Sequence, residues 1–385
     1  MRQRLRLVEI ITGLSTGGAE VMLFKVLRRI NRSRFDPCVI SLTTKGEVGS
    51  RIEALGIPVN ALNMRRGRPD PIGFLRLAKD LRSYRPDVVH TWMYHADLLG
   101  GLAARLAGLS AVAWSLHHSN LSEDKNKRST LWVVRACAKL SPFVPRLILS
   151  CSERTKQVHL AAGYAAAKMR VIPNGFDLSE FVTDPGARLS VRKELGIPAD
   201  SPLVGLVARY DPLKNHVGFI GATSPICRSV RNVHFLLAGS GVDSGNAALV
   251  APIKEVGLAD RFHLLGQRDD VPRLMAAFDV LASPSHGEAF PNVLGEAMAC
   301  AVPCVTTDAG DSREIVGDTG RVTAVGDMKG LAQNIVELLC MPREERIALG
   351  QRARERVSAR YEIDHVVRRY ERFYEELLEQ KSCAA

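Results

Sequence analysis

The chain has no apolar run of about 18 residues, the length that a helix needs to span a bilayer, and no charged-then-apolar leader ending in small residues. Both absences point to a cytoplasmic protein. Aromatic residues make up only 6% of the chain, and no aromatic-basic nucleic-acid motif or helix-turn-helix signature is found, so nucleic acid is not an expected partner. The eight cysteines are scattered through apolar patterns instead of forming a disulfide framework. Cys300 and Cys304 form the only close pair, and buried small residues beside a strand start explain them without a metal.

What is present is an ordinary globular composition, 46% apolar and 24% charged over 385 residues, enough for two domains with separate cores. The net charge of +11 is unevenly divided: residues 1–180 hold 28 Lys and Arg against 14 Asp and Glu, and residues 181–385 hold 24 against 27. A basic amino-terminal half suits anionic lipid headgroups or a phosphorylated acceptor, and a solvated, solubilising surface explains it as well. Its densest basic stretches, Arg65-Arg-Gly-Arg68 and Lys125-Asn-Lys-Arg128, make peripheral attachment at the inner face of a membrane a further candidate property.

Short apolar runs alternate with helical patterns, the sign of parallel sheets covered on both faces. Strands are predicted at residues 6–12, 37–41, 58–62, 88–91, 111–115, 147–150 and 169–172, then at 203–207, 233–238, 262–264, 280–283 and 303–306. The rhythm breaks at Pro173-Asn-Gly-Phe-Asp177 and the irregular stretch 183–187, where the linker is placed. The division is therefore residues 1–180, residues 181–360, and a carboxyl-terminal helix in 361–385 whose stripe of Ile363, Val366, Val367, Tyr370, Phe373, Tyr374 and Leu377 could cover either domain. The expected fold is α/β: two Rossmann-like, doubly wound domains facing each other across a cleft.

The richest segment is Ser283-Pro-Ser-His-Gly-Glu288-Ala-Phe-Pro-Asn-Val-Leu-Gly-Glu296, between two strand patterns. Pro291 suits a first helical position, and the N–H groups of Asn292, Val293 and Leu294 would then form an anion site reinforced by the helix dipole. Glu288 would stand before the helix and Glu296 one turn inside it. Arg209 and Lys214, in Arg209-Tyr-Asp-Pro-Leu-Lys-Asn-His216, follow the first strand of the second domain, where two cations would neutralise a diphosphate without a metal. In the first domain, the turn Thr12-Gly-Leu-Ser-Thr-Gly-Gly-Ala-Glu20 lacks the Gly-x-Gly-x-x-Gly fingerprint, which weakens a dehydrogenase reading, yet Gly17 and Gly18 would let a phosphate approach the backbone. His90 and His117 each end a strand pattern, where a histidine can donate to a sugar hydroxyl or shuttle a proton near neutral pH. Arg65 and Arg66, with His90, are the candidate acceptor contacts.

These segments together, Gly17-Gly-Ala-Glu20, Ile172-Pro-Asn-Gly-Phe-Asp177, Arg209 to His216 and Glu288 to Glu296, resemble the retaining GT-B glycosyltransferases of family four across nearly the whole chain and in the same order. The resemblance implies a sugar nucleotide donor, UDP- or GDP-linked, bound mainly by the second domain. It also implies a glycan or lipid-linked acceptor bound mainly by the first, and transfer with retention. Neither a metal nor a cofactor is implied. By position, Arg209 and Lys214 would grip the diphosphate, Glu288 would hold sugar hydroxyls and Glu296 the ribose. Ala289, Phe290, Pro291, Asn292, Val293 and Leu294 would supply contacts to sugar and phosphate, residues 267–271 with Arg268 would lie near the base, and His117 would touch the donor sugar. Ala289 and Ala208 stand where such enzymes often carry Gly, and Pro291-Asn292 replaces a commoner Gly-Leu pair, a variant similar to enzymes that build surface polysaccharides. The same residues leave open another GT-B chemistry, such as a sugar-nucleotide epimerase, and, less readily, a basic nucleic-acid-binding protein.

Overall fold

The computed structural model describes residues 4–382 except 66, 68–69 and 124–125. The chain divides into two compact units, the first made of residues up to Gly175 together with those from Ile363 onward, the second of Phe176–Glu362. The first unit thus ends five residues before the expected position, and it reclaims the carboxyl-terminal helix.

In the first unit, strands β1 (Leu5–Ile11), β2 (Phe35–Ser41), β3 (Val59–Ala61), β4 (Val88–Trp92), β5 (Val112–Leu116), β6 (Leu147–Ser150) and β7 (Met169–Val171) form one parallel sheet in the order β3-β2-β1-β4-β5-β6-β7. Strands β4 to β6 are buried at every residue, as expected of parallel strands covered on both faces. The order turns between β1 and β4, the point at which open α/β sheets bind ligands beyond the strand carboxyl ends. One face is covered by the helices Pro71–Tyr84, Tyr94–Leu106 and Arg128–Leu140, whose Leu77, Ala103 and Val134 join a single apolar cluster. The other face takes helix Gly18–Arg29 and the carboxyl-terminal helix Ile363–Ser382. All seven residues of the apolar stripe read from the sequence are buried there, each worth about 1.5–3 kcal/mol of transfer free energy.

In the second unit, β8 (Leu203–Val207), β9 (His234–Ala238), β10 (Phe262–Leu264), β11 (Val280–Ser283), β12 (Cys304–Thr307) and β13 (Arg321–Thr323) form a parallel sheet in the order β10-β9-β8-β11-β12-β13. The turn of strand order falls between β8 and β11. Strand β13 is absent from the sequence reading because Arg321-Val-Thr323 begins with a charge and holds a single aliphatic residue, so it gives no apolar run. The stretch 183–187 is not irregular: Asp184 accepts a hydrogen bond from the N–H of Gly186 and caps the helix Pro185–Glu194, with Pro185 in its first turn.

Phe176 begins the second unit and is fully buried. Its N–H donates to the Tyr361 carbonyl at 2.8 Å, and its ring stacks on Phe290 with centroids 6.2 Å apart. The ring also presses on the helix Asn292–Ala299 at Gly295, where a Cβ would lie 2.1 Å from ring carbons. Gly295→Ala should therefore destabilise the protein by about 1–3 kcal/mol through overpacking, and Phe176→Ala by about 3–5 kcal/mol through the cavity left behind. In the double variant the methyl has room, so denaturant unfolding of the four proteins should show a coupling of at least about 1 kcal/mol. Additive effects would mean that the ring does not set the need for glycine.

Candidate active site

Beyond β8 the chain makes a short turn, Pro212–Lys214, closed by side chains at both ends. Asp211 accepts from the Leu213 N–H at 2.9 Å, and Asn215, in the left-handed region at φ 54°, accepts from the Gly218 N–H at 3.2 Å. This holds Lys214 toward β11. Its Nζ donates to Glu288 Oε1 at 2.5 Å, and Ser285 Oγ donates to the same oxygen at 2.7 Å. The loops of the two strands are further tied by the His286 N–H, which donates to the Leu213 carbonyl at 2.7 Å. The carboxylate of Glu288 is 9% exposed and Lys214 23%, so the pair is partly shielded and stronger than a surface ion pair.

Arg209 does not join this contact. Its guanidinium is largely exposed and pairs with Asp211 at 3.0 Å. Burial pushes the Asp211 carboxyl up, but the Leu213 N–H and the charges of Arg209 and Lys214 outweigh this and hold it below the usual carboxylate range.

The helix after Glu288 runs Asn292–Ala299, with Pro291 at the capping position before it and not at the first helical position. The expected trio of open N–H groups is corrected accordingly: Leu294 donates to the Pro291 carbonyl at 3.1 Å, because the tight first turn brings that carbonyl within reach. Asn292, Val293 and Glu296 are half-buried, as is Ala289, while Phe290 and Leu294 are packed inside. Gly310, at φ 61°, lies under this loop, where a Cβ would sit 2.5 Å from the Glu288 carbonyl oxygen. Sequence reasoning passed over Gly310 and Ser285. Ser285 lay inside the quoted segment, and only its contact with Glu288 reveals its role.

Arg268 is committed elsewhere, to Asp270 at 2.7 Å and Glu194 at 3.1 Å. Its hydrogen bond to Asp270 raises its own pKa, and together with Arg273 it holds the Asp270 carboxyl well below the usual range. Cys300 and Cys304 are buried thiols, and desolvation pushes Cys300 up to about 12. Among the described residues no group of three or more His, Cys, Asp or Glu could hold a metal ion, and no helix is long and apolar enough to cross a membrane.

In the first unit Gly17 caps the helix Gly18–Arg29 in extended conformation, with the Glu20 carboxylate directly over its α-carbon. His117 lies just beyond β5. Its Nε2 is 2.8 Å from Ser115 Oγ, and its ring stacks on Trp92 at 4.9 Å and 12°. Desolvation, with a smaller contribution from His90, lowers its pKa to about 3, so the imidazole is neutral near pH 7. It is placed to hydrogen-bond, and the expected proton shuttling near neutral pH is corrected.

His90 is corrected as well. It is fully buried under the carboxyl-terminal helix, with Nδ1 3.0 Å from Glu9 Oε2 and 3.2 Å from the Tyr374 hydroxyl, which makes it part of the core and not an acceptor contact. A side chain in mid-strand points to a sheet face, and here that face is the one the helix closes. The same Glu9 accepts from Trp92 Nε1 at 2.6 Å and from Tyr374 Oη at 2.8 Å, so it fixes the indole on which His117 rests. Arg65 is exposed, and Arg66 lies outside the described residues, as does Lys125.

Two family models match the chain: "Glycosyltransferase Family 4" over residues 16–180 and "Glycosyl transferases group 1" over residues 201–341. Together they take in most of it. Among curated relatives, the chain is 26% identical over 319 residues to the "Putative glycosyltransferase EpsF" of Bacillus subtilis, covering 79% of each protein. It is 30% identical over 245 residues to the "UDP-Gal:alpha-D-GlcNAc-diphosphoundecaprenol alpha-1,3-galactosyltransferase" of Escherichia coli, covering 62% of each. Among solved structures, that of Anabaena Alr3699/HepE in complex with UDP and glucose superposes with a TM-score of 0.85 at 25% identity, over 97% of this chain and all of the other.

The depressed pKa of His117 sets a pH dependence. Folded, it takes up a proton only near pH 3; unfolded, it does so near 6.5, so its contribution to stability is present above about pH 6.5 and is lost as the pH falls toward 3. His159, His216 and His263, each lowered to about 4, act in the same direction. In urea titrations, His117→Asn should lose less stability than the wild type between pH 7 and pH 4. An equal loss would show that His117 is not the desolvated neutral group described.

Proposed function

The chain belongs to the family-four, group 1 glycosyltransferases, with the GT-B fold and a place in glycoconjugate biosynthesis, and from that premise we propose that it moves a hexose from a uridine diphosphate donor to a lipid-linked glycan with retention at the anomeric carbon. The observation that carries this reading is the shielded Lys214–Glu288 pair at the carboxyl ends of β8 and β11, where the strand order turns. UDP as the carrier is supported by the Anabaena protein, whose structures hold UDP or UDP-glucose, and by the E. coli relative, whose name gives UDP-Gal as donor and a diphosphoundecaprenol-linked sugar as acceptor.

Transfer breaks the bond between the anomeric carbon and the β-phosphate oxygen and forms one to an acceptor hydroxyl, whose proton passes to the departing phosphate. Negative charge grows on that phosphate, so a cation held nearby lowers the barrier more than it stabilises the ground state. Lys214 is that cation, with Arg209 as a second, exposed one that can leave Asp211 for the diphosphate. When Lys214 turns to phosphate it releases Glu288, whose carboxylate then accepts from sugar hydroxyls beside the reacting carbon. Glu288 binds and orients the sugar and does not form a covalent intermediate. The amino end of helix Asn292–Ala299 adds its dipole toward the phosphates, and Glu296 takes ribose hydroxyls. The first unit offers a hydrogen-bonding group of its own, the neutral His117, just beyond β5. With lysine and arginine neutralising the leaving group, no metal is required.

Lys214→Ala and Glu288→Ala should each lower kcat/KM by about two orders of magnitude or more, the scale of losing a charged transition-state contact. Folded variants that turn over at near wild-type rates would remove both residues from the mechanism. Calorimetry with UDP and with GDP in the presence of EDTA tests the donor. UDP should bind, and more weakly to Glu296→Ala; binding of GDP alone, or of UDP only with added metal, would overturn the donor assignment.

A further inference from the structure

We propose that the outward face of the helix Arg128–Leu140 is a docking surface for an anionic lipid bilayer. Arg128, Trp132, Arg135 and Lys139 follow one another at spacings of four, three and four, and Phe143 comes four residues later. All are exposed, so they form one stripe along the helix and its terminal turn, while Leu131, Val133, Val134, Cys137 and Ala138 face the core. Trp132 is 66% exposed and Phe143 75%, whereas Trp92 and Trp114 are fully buried.

Phe143 is not on a loose loop. Lys168 Nζ donates to the carbonyls of Ser141 at 3.1 Å and Pro145 at 2.7 Å, and Arg105 donates to those of Val144 at 2.9 Å and Phe143 at 3.2 Å. Leu106, next in sequence to Arg105, is also largely exposed. The helix itself carries no acidic residue, and the acid paired with its outward face is Glu123, 3.1 Å from Arg135. The helix Pro71–Tyr84, which covers the same sheet face, exposes Ile72 and Leu75 next to Arg76, Lys79 and Arg82.

A protein partner fits this pattern poorly, because the centres of protein interfaces are depleted in charge, and here three cations stand among two aromatics along the helix and its terminal turn. A lipid headgroup layer fits it well. Aromatic rings settle at the boundary between headgroups and acyl chains while lysine and arginine meet the phosphates. The surface is also close to the site along the chain, since the connection leading to this helix starts at His117. For its purpose the proposal rests on the lipid-linked acceptor reading, but vesicle binding is measured with neither donor nor acceptor present.

The full chain is sedimented with vesicles of phosphatidylcholine alone and of phosphatidylcholine with an equal part of phosphatidylglycerol. Binding is expected to the anionic vesicles only, and to weaken about tenfold or more in Trp132→Ala/Phe143→Ala and in Arg128→Gln/Arg135→Gln/Lys139→Gln. Because Trp132 is the exposed tryptophan, brominated lipid should quench wild-type fluorescence and leave Trp132→Phe largely unquenched. Calorimetric affinity for UDP should be the same in all variants, which separates failure of this surface from failure of the donor site. Absence of vesicle binding by the wild type, equal binding by the variants, or self-association of the wild type that the aromatic variant abolishes would each overturn the proposal, the last by showing that the face joins copies of the chain.

Discussion

Glu9 has no contact with water, and a carboxyl group in such a place is tolerable only if its oxygens are met by donors. Trp92, Tyr374 and His90 meet them, from β4 and from the carboxyl-terminal helix. Losing one of these partners would leave a dry polar group at a cost of about 1–3 kcal/mol, which makes the cluster demanding as well as stabilising. Its demands reach the candidate site: the indole that Glu9 holds is the surface on which His117 lies, between that ring and Ser115. Tyr370 stacks on the same indole at 6.0 Å and 7°. The histidine is therefore placed by residues that are themselves fully buried.

The second unit solves a similar problem with opposite means. Lys214 and Glu288 stand on loops from neighbouring strands, and each loop is braced locally: by bonds to Asp211 and Asn215 on one side, and by a bond from Ser285 and the close approach of Gly310 on the other. Charge is held there as a partly shielded pair, which on the proposed mechanism the diphosphate divides. Glu9 is fully sealed, whereas Glu288 keeps some exposure and its partner Lys214 more. Both lie where parallel strands change order, so the topology supplies the location and the local bonds decide whether a buried acid is a rivet or a reagent.

Among the described residues, twelve of the thirteen strands were legible in the sequence, because parallel strands buried on both faces are runs of apolar residues set between turn signals. The exception, β13, is short and begins with a charge. The Lys214 and Glu288 segments were legible because they combine chemistry with a strand-end context. Context misled at His90, since a histidine near a strand end can face the site or the core, and only the covering helix decides. Pro291 was off by one place: proline is accepted both in the first turn and just before it, and the choice depends on the path of the preceding loop. The neutrality of His117 could not be read, because it comes from burial by residues distant in sequence, and Gly310 is explained only by the carbonyl pressed against it.

The sharing of residues between the two units has a temporal side. Phe176–Glu362 is one unbroken stretch, so it can close its sheet as soon as it has left the ribosome. The unit that begins the chain cannot follow the usual amino-terminal-first order, because Glu9 waits for Tyr374, 365 residues further on. Until Ile363–Ser382 has been made, the sheet face meant for it stays uncovered, with Trp92 and His90 beneath it. The part made first is completed only after the second unit has been made, and until then the nascent chain keeps an open apolar face that chaperones can hold.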